Sequence, residues 1–198
     1  MVEIPSPFGS DDGGHFDDPD AFVADHLPEP GPFLIDQSVL ADDDHVEVHE
    51  VARTVFEERG VYDMTFGYNL ARLNADARHP NAGYRYAEAK ESNDLRAEFT
   101  PTTPFCPQSH TLAIGSFRAW NGLSDRHQYD VVRVRVHPMH NESAEINRRL
   151  TAAEETYRET GSVSDTPTES EPGSSTGAGR TGSDASGREA DFEPESPF

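Results

Sequence analysis

The stretch TPTTPFCPQSH, residues 100–110, holds the only cysteine among 198 residues. Proline is well tolerated at the first position of a helix, where its missing N–H has no bond to lose. With Pro107 in that place, Cys106 becomes the N-cap residue, its sulfur beside unpaired backbone N–H groups and the positive end of the helix dipole. Both favour the thiolate, the form that attacks electrophiles or ligates metal. Pro101 and Pro104 stiffen the approach. The plainer alternative for a lone cysteine is a small buried hydrophobe.

Histidines are the possible companions. His137 and His140 with Cys106 would make a soft three-ligand metal site, but no second cysteine and no His-Glu-x-x-His spacing supports it. A thiol enzyme would use Cys106 as nucleophile and His140 or His110 as base, yet no orienting third group is recognisable. His45 and His49 stand four apart and are expected on an exposed helix face. The run Asp42-Asp43-Asp44 lacks the Gly and closing Glu of a calcium loop. Arg118, Arg126, Arg133 and Arg135 form a local basic set, either a solvated face or a contact for an acidic partner.

The elements that must position these residues occupy the middle of the chain. DDHVEVHEVARTVFEERG reads as a helix with Val48, Val51, Ala52, Val55 and Phe56 on one stripe, Asp44 and Glu47 as a capping box, and Gly60 as its stop. MTFGYNLARLNADAR is strand-like, with Phe66, Tyr68, Leu70 and Arg72 alternating. The turn HPNAG leads to a weaker strand, GYRYAEAKES, and DLRAEFTPT is a strand ending at Pro101. A helix follows from about Pro107 to Trp120. YDVVRVRVHP is the clearest strand, with Val132, Val134 and Val136 on one side and Arg133 and Arg135 on the other. ESAEINRRLTAAEETYRET is the last helix, with Ile146, Leu150, Ala153 and Tyr157 on one face. The expected fold is a small α+β domain over residues 42–160, in the order helix, strands, helix, strand, helix, its mixed sheet covered by helices on one side.

Composition bounds the rest. Lys+Arg is 16 against Asp+Glu 37, a formal net charge of −21, and Lys90 is the sole lysine. Acidic, lysine-poor surfaces stay hydrated in concentrated salt, so the core suggests a halophilic archaeon, whereas the aperiodic ends suggest disorder. Residues 1–41 read as a disordered acidic arm and residues 161–198 as a disordered low-complexity tail. So negative a field argues against nucleic acid. No run of 18 apolar residues argues for a membrane span, and MVEIPSPFGSDDGG lacks the basic and apolar regions of a secretory signal. The cytoplasm is the expected compartment.

Phe99, Thr100, Pro101, Thr102, Pro104 and Cys106 match a strand-terminal Phe-Thr-Pro-Thr-x-Pro-x-Cys segment. Leu112, Ile114 and Gly115 match a following Leu/Ile-Gly element, and His140, Asn147 and Leu150 a His…Asn…Leu pattern after the next strand. Over residues 96–157 the chain thereby resembles the iron–sulfur assembly family of bacterial SufT proteins and the eukaryotic cytosolic iron–sulfur targeting component. It departs from that pattern at RGVYD and at Glu142-Ser143, and HPNAGYRYAEA reads as an insertion. The resemblance implies a non-enzymatic factor that helps mature apo iron–sulfur proteins alongside other assembly factors. It implies Cys106, with Thr103, His140 and Asn147, as the place where a cluster is transiently held, with Cys106 the metal ligand. One thiolate cannot hold a cluster alone, so ligands from a client, a small thiol or a second subunit of a homodimer are expected. Because a related branch serves in a multicomponent oxygenase, the resemblance also leaves an accessory subunit of such an oxygenase as an alternative.

Overall fold

The computed structural model describes residues 14–163. It is an α+β domain. Its main sheet has four strands in the order β1-β4-β5-β6: β1 (Ser38–Val39), β4 (Gly83–Glu88), β5 (Asp94–Thr100) and β6 (Val131–Val136). β4 runs antiparallel to β1 and β5, and β6 parallel to β5. A hairpin of β2 (Tyr62–Asp63) and β3 (Tyr68–Asn69) forms a second sheet. Three helices cover one face of the main sheet: α1 (Asp42–Arg59), α2 (Ser109–Gly122) and α3 (Ser143–Thr160).

The side-chain alternation of the strands separates two faces. Tyr84, Tyr86, Leu95, Ala97, Phe99, Val132, Val134 and Val136 meet Phe56, Trp120, Phe117, Ile146 and Leu150 in one core cluster. Gly60 ends α1 in the left-handed conformation, φ 67°, as its sequence position requires. The helix starts at Asp42 and not after Asp44. Its N-cap is Ala41, with no side-chain cap, so the capping box does not form. Leu40 fixes the start, because its N–H donates to Tyr86 O at 2.9 Å and its side chain is buried.

Two strand expectations change. The alternation over Phe66–Arg72 gives only the two-residue β3, then a 3-10 turn over Leu70–Ala75. Asn69 diverts the chain: its Oδ1 accepts from Ala71 N and its Nδ2 donates to Arg53 O, at 3.0 and 2.9 Å. GYRYAE, read as a weak strand in an insertion, is β4, an interior strand of the main sheet, with Tyr84 and Tyr86 fully buried.

From residue 14 onward the acidic arm expected over residues 1–41 is part of the domain. Phe16 bridges to Asp76, and Leu27, Leu34 and Leu40 are buried. Residues 1–13, and the tail from 164 onward, lie outside the described residues. The arm crosses the second face of the sheet, where Arg85, Glu98 and Arg135 are in register as one row, and Arg96 and Arg133 in the next. Phe33 lies 5.0, 5.7 and 5.3 Å from the guanidinium carbons of Arg96, Arg133 and Arg135. Glu154 of α3 bridges Arg133 and Arg135, at 2.8 Å each. The arginine face of β6 is therefore covered, not solvated. Arginine suits this role, because its planar cation stacks on aromatic rings while pairing at its edge.

β6 is an edge strand, and side chains close its free side. Asn121 donates to Val132 O and accepts from Val132 N, at 2.8 and 2.9 Å; Asn147 does the same to Val136 at 2.9 and 2.7 Å. Arg135 Nη1 donates to Val134 O at 2.8 Å. The edge is thereby unavailable for pairing with another chain.

Candidate functional site

The segment between β5 and α2 presents Cys106. The first residue of α2 is Ser109 and its N-cap is Gln108, so Cys106 is not the N-cap and its sulfur does not cap the helix. Tertiary bonds override the local preference of Pro107. Gln108 Oε1 accepts from Met64 N at 3.0 Å and its Nε2 donates to Thr65 Oγ1 at 2.6 Å, clamping the loop to the β2–β3 hairpin. The Cys106 carbonyl accepts from Ser109 N at 3.2 Å and from His140 Nε2 at 3.1 Å. Cys106 N donates to Thr103 O at 3.4 Å. The thiol is free and partly exposed.

His140, buried behind the loop, is a bracket. Its Nε2–H donates to Cys106 O, and its Nδ1 accepts from Glu142 N at 3.2 Å. Both ring nitrogens are thereby occupied, which fixes the tautomer. Asn141 N adds a bond to Pro104 O at 3.0 Å. Asn147 binds the end of β6, and Thr103 is exposed on the loop, offering its carbonyl to Cys106. Of the residues the resemblance names, Thr103 and His140 bond directly to Cys106 backbone, while Asn147 acts one step away, holding the strand that leads to His140.

The other pairings do not form. His137 packs on the opposite side, where its Cδ2 and the Glu98 carboxyl oxygens surround Gly31, and its Nδ1 accepts from Met139 N. The Cys106–His137–His140 metal set is not assembled, and among the described residues no three His, Cys, Asp or Glu side chains come together as metal ligands. His110 Nε2 faces Arg149 at 3.3 Å, and burial, then the Arg149 charge, hold its pKa below the usual value. Neither proposed base is poised for the thiol.

His45 and His49, expected on an exposed face, are both buried and stacked 5.8 Å apart. His49 bonds to Tyr86 OH and Ala71 O, each at 2.9 Å. Burial, with His49 and Arg85 adding to it, holds His45 down to about 3; burial, against the Ala71 bond, holds His49 to about 4. A sequence signal existed, since 45, 49, 52 and 56 form one helical stripe with Ala52 and Phe56.

What the loop presents is an uncharged, apolar-tipped surface. Residues 99–109 contain no charged side chain, nor do residues 64–71 beside them, in a chain of net charge −21. Phe105 is 75% exposed and Met64 81% exposed, on the two loops that Gln108 joins. Residues 14–164 match the family profile described as a domain of unknown function, DUF7998. The chain belongs to the DUF7998 family. No curated protein matches it. The DUF7998 match begins at residue 14, so the arm over the arginine face lies within the matched region. Among the described residues no helix is long and apolar enough to cross a membrane.

Proposed function

We propose that this protein is a maturation factor for iron–sulfur proteins, acting in the cytoplasm through docking contacts and the single thiol of Cys106. The observation that carries the reading is the surface around that thiol. A partly exposed cysteine stands on a loop bracketed by His140 and Gln108, flanked by exposed Phe105 and Met64, inside an uncharged window of a strongly acidic chain. Exposed aromatic and Met side chains are the anchors of protein interfaces. The motif residues Cys106 and His140 meet at this loop, with Thr103 bonded to the Cys106 backbone, in keeping with the SufT-like pattern.

The cluster is cargo on this reading. A cluster takes four protein ligands, and Cys106 supplies one; the client apo-protein, a further assembly factor or a second copy supplies the rest. The loop's rigidity holds the sulfur at the docking surface while the client's own ligands take over. A thiol enzyme is the weaker reading, because the imidazoles that would serve as base are engaged by backbone and Arg149.

Two variants test this. Cys106→Ser, and separately Phe105→Asp at an exposed position, are expected to leave melting unchanged within about 0.5 kcal/mol. Each should lower the activity of iron–sulfur enzymes in cells while their polypeptide levels stay constant. Normal cluster occupancy in both strains would refute the proposal. Turnover of a small substrate by the purified protein, lost in Cys106→Ser, would favour the enzyme.

A further inference from the structure

Gln108 is the N-cap of α2, yet its side chain makes no bond to its own helix. Both ends of its amide reach instead to the β2–β3 hairpin, 44 and 43 residues away in the chain. Oε1 accepts from Met64 N at 3.0 Å, and Nε2 donates to Thr65 Oγ1 at 2.6 Å. A planar amide bonded at both ends fixes orientation as well as distance. Both bonds are open to water, so they add little to global stability. What they set is the position of one loop against the other.

The hairpin is a firm anchor for that clamp. Asp63 is buried, and its Oδ1 accepts from Thr65 N at 2.7 Å and from Phe66 N at 3.2 Å. Gly67 N closes the turn by donating to Asp63 O at 2.7 Å. Phe66 packs on Tyr68 and His79, with ring centroids 5.5 and 4.7 Å apart. Met64 and Thr65 are left exposed at the tip. The other bonds to the thiol loop come from a different quarter, the connection between β6 and α3: His140 donates to Cys106 O and Asn141 N to Pro104 O. Cys106 is thus held between two anchors, and the hairpin that carries Met64 is one of them.

We infer that Gln108 is a positioning residue of the thiol site, through which the β2–β3 hairpin and the loop of Cys106 act as one docking unit. A client polypeptide seated on Met64 thereby steadies the loop that presents the thiol. This role for the client rests on the docking reading above; the coupling of hairpin to thiol does not.

Thr65 tests this in the full chain, because it is exposed and stands on a different element from the thiol. Thr65→Val keeps the shape and removes the hydroxyl, whereas Thr65→Ser keeps the hydroxyl. Losing one such bond should open the clamp about two- to tenfold more often. Iodoacetamide alkylation of Cys106 and amide exchange of Met64 should then be at least about twofold faster in Thr65→Val and in Gln108→Ala. Both rates should stay at the parent value in Thr65→Ser, and all three variants should melt as the parent does. The double variant Thr65→Val/Gln108→Ala should be no faster than Gln108→Ala alone, since both changes remove the same clamp. Equal alkylation in every variant, additive effects in the double variant, or a serine variant that behaves like valine would overturn the inference. In cells, iron–sulfur enzyme activity should fall in Thr65→Val and not in Thr65→Ser. A fall in Cys106→Ser with normal activity in Thr65→Val would overturn the docking unit and leave the maturation reading standing. Faster alkylation in Thr65→Val with normal activity in Cys106→Ser would do the reverse, overturning that reading and keeping the coupling.

Discussion

Replacing Gly31 by alanine tests the largest departure from the sequence reading, the packing of the N-terminal segment on the sheet. Gly31 N donates to Glu98 Oε1 at 2.6 Å. A Cβ at this position would stand 2.5 Å from that oxygen, 2.8 Å from Oε2 and 2.5 Å from His137 Cδ2. Glu98 has no room to retreat: it is 1% exposed and in register between Arg85 and Arg135. Overpacking a buried site costs about 1–3 kcal/mol. Breaking a buried bond to a carboxyl adds about 1.5–3 kcal/mol. The sum, about 2.5–6 kcal/mol, is a large share of a stability of about 5–15 kcal/mol. For a domain of this size it corresponds to a fall of roughly 5–24 °C in melting temperature. Urea unfolding followed by far-ultraviolet circular dichroism, at fixed salt, measures it. Amides of residues 26–37 should also exchange faster in the variant. A change within about 0.5 kcal/mol, as for an exposed flexible position, would refute the packing of this segment.

The remaining predictions concern acid, salt and the thiol loop. His45 and His49 have folded pKa values below 6.5, so the stability they contribute is present above pH 6.5 and lost as pH falls toward about 4 and about 3, when the unfolded chain alone binds the protons. Unfolding free energies at stepped pH should decline there, and His45→Leu should reduce the slope by about 1.4 kcal/mol per pH unit; an unchanged slope would count against buried neutral imidazoles. With a net charge of −21, the domain should melt higher in molar KCl than in dilute buffer, where self-repulsion is unscreened; equal melting in both would remove the halophilic reading. Cluster-enzyme activity in the Cys106→Ser and Phe105→Asp strains decides the thiol loop.

Some features were local enough to read directly. The stripe of α1, its stop at Gly60, the alternation of β6 and the face of α3 depend on neighbours within a turn or a pleat, so periodicity and a single glycine specify them. The element order, and with it the α+β class, follows from those pieces. The same logic failed where local and distant bonds competed. Pro107 favours a helix start, but the bonds of Gln108 to the hairpin and of His140 to Cys106 O place that start at Ser109. Phe66–Arg72 alternates like a strand, but Asn69 ends it after two residues.

By itself the sequence determined the helices, the principal strands, the position of the thiol between β5 and α2, and the acidic character of the surface. Only the tertiary structure decided what covers what. Phe22, Leu27, Phe33 and Leu34 have no period, and their places come from the arginine face, Glu98 and the core, which lie far along the chain. It likewise decided that His45 and His49 are buried, that His140 is a bracket, and that Asn121 and Asn147 close the edge of β6. Regular elements carry their pattern in nearest-neighbour spacing. An irregular segment, or a polar side chain that completes another strand's hydrogen bonds, is specified by groups brought close only once the chain has folded.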